Sequence, residues 1–113
     1  MSGLTTHVLD LALGCPARGV RVRLERHTEA GDWTPVAERV TDDDGRVRDF
    51  LAGAPLTPGR YQMRFGTGDY FRARGESAFH PEVPVIFEVG DPAQHYHVPL
   101  LLSAFGYSTY RGS

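Results

Sequence analysis

Lysine is missing from this sequence: all 12 basic residues among its 113 are arginine. Schiff-base and lysine-nucleophile chemistry are thereby excluded, and every permanently cationic side chain is a planar guanidinium. Cysteine occurs once, at Cys15, so no internal disulfide forms, which agrees with a reducing environment. No apolar run approaches the ~18 residues that span a bilayer. Charge of one sign is also lacking. The net charge is -2, with the arginines scattered among 14 acids, so there is no basic stripe of the kind that binds nucleic acid. The opening stretch Met1–His7 lacks the basic region and long apolar run of a secretory signal, and the closing Arg-Gly-Ser is not a peroxisomal address. The expected compartment is the cytoplasm, with neither membrane nor nucleic acid as partner.

Helical periodicity is nearly absent too, and alternation takes its place. Val20, Val22 and Leu24 alternate with arginine and glutamate, Tyr61, Met63 and Phe65 with Gln62 and Arg64, and Val83, Val85, Phe87 and Val89 repeat the pattern. Each is the signature of a half-buried strand. Turn residues separate the runs at Gly14-Cys15-Pro16, Ala30-Gly31-Asp32, Asp43-Asp44-Gly45, Thr57-Pro58-Gly59 and Gly90-Asp91-Pro92. Seven or eight short strands at such spacing predict an antiparallel sandwich in a single domain spanning 1–113. Gly68–Gly75 breaks the alternation and reads as one short helix.

Five histidines occur, and position within the alternation sorts them. On the first strand Leu4, Thr6 and Val8 share one face, which sends His7 to the other. On the strand from His95, the residues Tyr96, Val98, Leu100 and Leu102 are the apolar set, leaving His95, His97, Pro99 and Leu101 opposite. His7 and His97 therefore both leave the core side, beside Leu9, Pro99 and Leu101. A face that mixes imidazoles with apolar residues predicts a partner surface, most simply another copy of the chain.

Thr6-His7-Val8-Leu9-Asp10, Asp44-Gly45-Arg46, His95-Tyr96-His97-Val98-Pro99-Leu100-Leu101-Leu102-Ser103 and Tyr107-Ser108-Thr109-Tyr110-Arg111-Gly112-Ser113 resemble the signatures of the 5-hydroxyisourate hydrolases of the transthyretin-like family. Gly14-Cys15-Pro16-Ala17 and Gly68-Asp69-Tyr70-Phe71 also look like family segments, so the resemblance covers most of the chain. Glu29–Arg39 and Asp49–Pro58 match no motif. The resemblance implies an all-β, transthyretin-like sandwich of two four-stranded antiparallel sheets with one short helix, assembled as a homotetramer with its sites in a central cleft. It implies hydrolysis of 5-hydroxyisourate, a small-molecule substrate of urate degradation, with no cofactor and no metal. Carried over residue by residue, His7, Arg46 and His97 are the catalytic set, and Tyr110, Arg111, Gly112 and Ser113 bind substrate.

The chemistry suits these residue types. A neutral imidazole takes a proton from water near pH 7; either His7 or His97 would be that base. Arg46 would hold a developing oxyanion through its forked donors. Ser113, with its hydroxyl and terminal carboxylate, would orient a histidine or the substrate.

Other readings stay open on the residues alone. His95-x-His97 has a spacing that lets both imidazoles reach one zinc ion, with His7 as a third ligand. Cys15 is a nucleophile only if an imidazole lies near it, and is otherwise a structural loop residue. Asp42-Asp43-Asp44 lacks the spacing of a calcium loop and reads as a solvated turn. Trp33, Tyr96, Tyr107 and Tyr110 are expected mainly in the core, with a stacking surface for a flat ligand as the alternative. The main rival function is a transthyretin-type carrier that binds a planar molecule without turnover. A structural adhesion sandwich with no small-molecule site is the third class.

Overall fold

In the structure, a computed structural model, residues 3–113 are described; Met1 and Ser2, the start of the stretch that lacks a targeting pattern, lie outside the described residues. Among the described residues nine strands and one helix follow one another: β1 (Gly3–Asp10), β2 (Cys15–Pro16), β3 (Arg21–His27), β4 (Trp33–Val40), β5 (Arg46–Val47), β6 (Gly59–Phe65), α1 (Thr67–Arg72), β7 (Val83–Val89), β8 (His95–Leu102) and β9 (Tyr107–Thr109). One sheet has the order β4-β3-β6-β7, and the other the order β2-β1-β8-β9 with the two-residue β5 also paired to β1.

Burial alternates as the sequence predicts. Leu4, Thr6, Val8 and Asp10 of β1 turn inward, as do Val22 and Leu24 of β3 and Tyr61, Met63 and Phe65 of β6. The inward residues of the two sheets form one continuous core, completed by Phe50, Phe71 and Leu102. A slip of one residue in any of these strands would exchange its buried and exposed sets, so the pattern itself fixes the register.

The sandwich departs from a purely antiparallel arrangement at one pairing. β1 and β8 run parallel in register, Thr5 beside His97 and His7 beside Pro99. Parallel neighbours need a long crossover. Here the whole second sheet and α1 lie between them in the chain, which brings residues some ninety positions apart edge to edge. The expected short helix is present as Thr67–Arg72, with Phe71 in the core. Of the four aromatics expected mainly in the core, only Tyr96 is buried there; Tyr107 and Tyr110 are exposed and Trp33 is half-buried against His27. Tyr107 lies on β9, the edge strand of its sheet, and Tyr110 just past it, so neither is drawn into the core.

Candidate active site

Thr5 and His7 leave β1 on the outward face of its sheet, and His95 and His97 leave β8 on the same face, because alternate residues of each strand are committed to the core. Arg46 joins them from β5, whose register places it directly beside His7.

A tight turn aims Arg46. Asp42 Oδ1 accepts the backbone N–H groups of Asp44 and Arg46 at 2.9 and 3.0 Å, and the Asp42 N–H donates to the Arg46 carbonyl at 2.9 Å. Between them Gly45 has φ +73°, a left-handed conformation that favours glycine. A Cβ there would also run into the Val8 carbonyl oxygen. The acidic run is thus a solvated turn, as the sequence suggests, but one whose first aspartate holds the Arg46 backbone.

The chain then returns over the site. The Gly112 N–H donates to the His97 carbonyl at 2.8 Å, which lays the last residues across His97 and buries Pro99. A Cβ on Gly112 would come within 2.5 Å of His97 Cδ2 and 3.2 Å of Pro99 Cγ, so this position tolerates no side chain. Ser113, Thr5, Arg46, Arg48, His95 and His97 line a cleft of about 330 Å³, with His7 next to Thr5's side of it on β1.

Tyr110 and Arg111 take a different position. They line a second groove of about 340 Å³ that runs along Ile86 and Phe87 of β7, on the far side of His97. Arg111 stacks 4.5 Å above the Tyr96 ring and donates to Gln94 Oε1 at 3.0 Å. Cys15 pairs with Asp10 at the opposite end of β1. Among the described residues, no three His, Cys, Asp or Glu side chains are grouped as a metal site.

Electrostatics favour neutral imidazoles. Burial lowers the pKa of His97 below its ordinary 6.5, and the nearby Arg46, His95 and His7 push it the same way, against a hydrogen bond with the Thr5 backbone. His7 is lowered by burial and by Arg46, while the Asp44 backbone and the charges of Asp44 and Asp42 oppose. A guanidinium beside two neutral bases is a set able to polarise a carbonyl and accept a proton from water.

A two-sheet sandwich with imidazoles and a guanidinium gathered on the outer face of one sheet defines a transthyretin-like protein carrying polar, acid–base chemistry. The chain belongs to the HIUase/Transthyretin family, whose model matches residues 4–112. It is 50% identical over 118 residues to the 5-hydroxyisourate hydrolase of Caulobacter vibrioides, with all of both chains covered. The structure of Klebsiella pneumoniae 5-hydroxyisourate hydrolase superimposes with a TM-score of 0.88 at 39% identity, covering 99% of this chain and 100% of that one. Sea bream transthyretin in complex with thyroxine is also similar, with a TM-score of 0.89 at 32% identity over 96% of this chain and 93% of that one.

Reasoning from sequence missed Thr5, Asp42 and Arg48. Thr5 is two positions from His7 and on the same strand face, so the alternation held the signal. Asp42 held none beyond turn chemistry.

Proposed function

We propose that this chain hydrolyses 5-hydroxyisourate to 2-oxo-4-hydroxy-4-carboxy-5-ureidoimidazoline in urate degradation, using His7, Arg46 and His97. One observation carries the proposal: three side chains from β1, β5 and β8 meet on a single outward face, close enough that Arg46 and His7 both depress the basicity of His97. Relatives and structural neighbours named 5-hydroxyisourate hydrolase support the substrate.

In this reading water is held beside His97, which is neutral at pH 7 and takes its proton as the oxygen attacks the ring carbonyl. Arg46 stabilises the oxyanion that forms. The carbon–nitrogen bond then breaks, the nitrogen regains the proton, and a carboxylate remains. Gly112 backs the imidazole, and Ser113 closes the cleft on the substrate; Tyr110 and Arg111 act from the adjoining groove by anchoring the returning chain. Residues 1–113 form one domain, the chemistry needs no cofactor, and the enzyme acts in the cytoplasm; no helix among the described residues is long and apolar enough to cross a membrane. Leu9 and Leu101, half-buried beside the site, support assembly as a homotetramer that covers this face.

The carrier reading is favoured by the likeness to a thyroxine-bound transthyretin. Against it stands the lining: an apolar ligand would cover the Arg46 guanidinium and the free Nε2 edge of His97 without pairing either, at a cost of roughly 1–3 kcal/mol for each polar group so buried. Adding the protein to freshly generated 5-hydroxyisourate and following ultraviolet absorbance decides between them. We expect rapid decay, slowed about 100-fold or more in His97→Gln and Arg46→Gln. Decay no faster than the buffer blank would overturn the enzyme.

A further inference from the structure

The Thr5 hydroxyl lies between two imidazoles, 2.7 Å from His97 Nδ1 and 2.8 Å from His95 Nε2. A hydroxyl has one proton to give. It therefore donates to one ring and accepts from the other, and its choice determines which nitrogen of His97 is bare. We propose that Thr5 is a positioning residue that holds His97 as the tautomer with a protonated Nδ1 and a bare Nε2 facing the substrate.

Three observations select this direction. The Thr5 backbone acts on His97 in the direction that favours its protonated ring, the same sense as a hydroxyl that accepts from Nδ1–H. On the opposite edge Gly112 packs against Cδ2, and Nε2 has no hydrogen-bond partner among the described residues. His95 is exposed, so water satisfies whichever proton arrangement its ring takes. The hydroxyl proton consequently goes to His95 Nε2, and Thr5 Oγ1 accepts from His97 Nδ1–H. When Nε2 gains the water's proton, the imidazolium keeps that same hydrogen bond, so the ring need not turn during the reaction.

The inference rests on His97 being the base, and its test separates the two. In the wild-type protein, nitrogen-15 shifts of the histidine rings should show His97 protonated at Nδ1 and bare at Nε2. The reverse tautomer overturns the proposal. Thr5→Val keeps the shape of the side chain and removes the hydroxyl. It should lower kcat about 10- to 100-fold with KM within about twofold and give a mixed His97 tautomer, and Thr5→Ser should restore both kcat and tautomer. A Thr5→Val enzyme with normal kcat, beside an inactive His97→Gln, overturns the role of Thr5 alone. An active His97→Gln overturns the assignment of the base, and with it this proposal.

Discussion

His97 is restrained on three sides: Thr5 at Nδ1, Gly112 against Cδ2, and its own strand beneath. That leaves one ring edge to do chemistry, and the charges around it decide when it is available. Burial and Arg46 lower the pKa of both His97 and His7, so each stays neutral at pH values where a free histidine begins to protonate. The sign follows directly. Activity that needs a neutral imidazole is fully present above the lowered pKa and is lost as the pH falls through it. The acid limb of kcat/KM should therefore have its midpoint below 6.5, and Arg46→Gln should move the residual activity's midpoint upward, because the opposing charge is gone. A wild-type midpoint above 6.5 in a pH–rate profile would contradict this account of the site.

At the scale of elements, the site depends on one of the two shortest strands. β5 has two residues and one of them is Arg46; without the turn before it, nothing in its own pairing would hold the guanidinium in place. Gly45→Ala adds a methyl group against the Val8 carbonyl oxygen in a left-handed conformation, which costs about 2 kcal/mol or more in strain and crowding. The turn should yield before the sandwich does. We expect kcat/KM to fall at least about tenfold with the far-ultraviolet dichroism unchanged; kcat/KM within threefold of wild type would mean that the turn does not position Arg46. Legibility in the sequence follows the same division. The inward faces of β1, β3, β6, β7 and β8 could be read because burial of every second residue leaves a period of two. The parallel pairing of β1 with β8 could not, since nothing local to either strand specifies a neighbour some ninety residues away. His7, Arg46 and His97 stood out by motif, whereas Thr5 and Asp42 look like ordinary polar surface until their partners are present. Tyr107 and Tyr110 misled because aromatic content signals burial only where a second layer covers the strand.

Over the whole molecule, the two sheets are joined at one end by a polar lock set beside the apolar core. Asp10, at the end of β1 and almost fully buried, accepts from the Tyr70 hydroxyl at 2.8 Å, from Arg74 at 2.5 Å, and through its other oxygen from the backbone of Ala12 and Leu13. Tyr70 and Arg74 belong to α1 and the residues just after it, which follow directly from β6 of the opposite sheet. Burial alone would raise the Asp10 pKa, but the hydrogen bonds from Tyr70, Leu13 and Arg74 outweigh it and hold the carboxyl below its ordinary 3.8. The same cluster pushes the Tyr70 hydroxyl up to about 12, through burial first and then Asp10. Asp10→Asn retains the shape but turns an amide N–H₂ toward two donors, leaving Arg74 with only the more exposed Glu76 as its anion. Removing one partner of such a pair should cost about 3 kcal/mol, read as a lower urea midpoint at fixed protomer concentration. Because the folded pKa lies below the unfolded one, the carboxylate's contribution is complete above about pH 4 and vanishes as the pH falls through the folded value. The gap between wild type and Asp10→Asn should accordingly be constant from pH 7 to 5 and close below about pH 4. A gap of under about 1 kcal/mol at pH 7 would show that the apolar core alone holds the sheets together at this end.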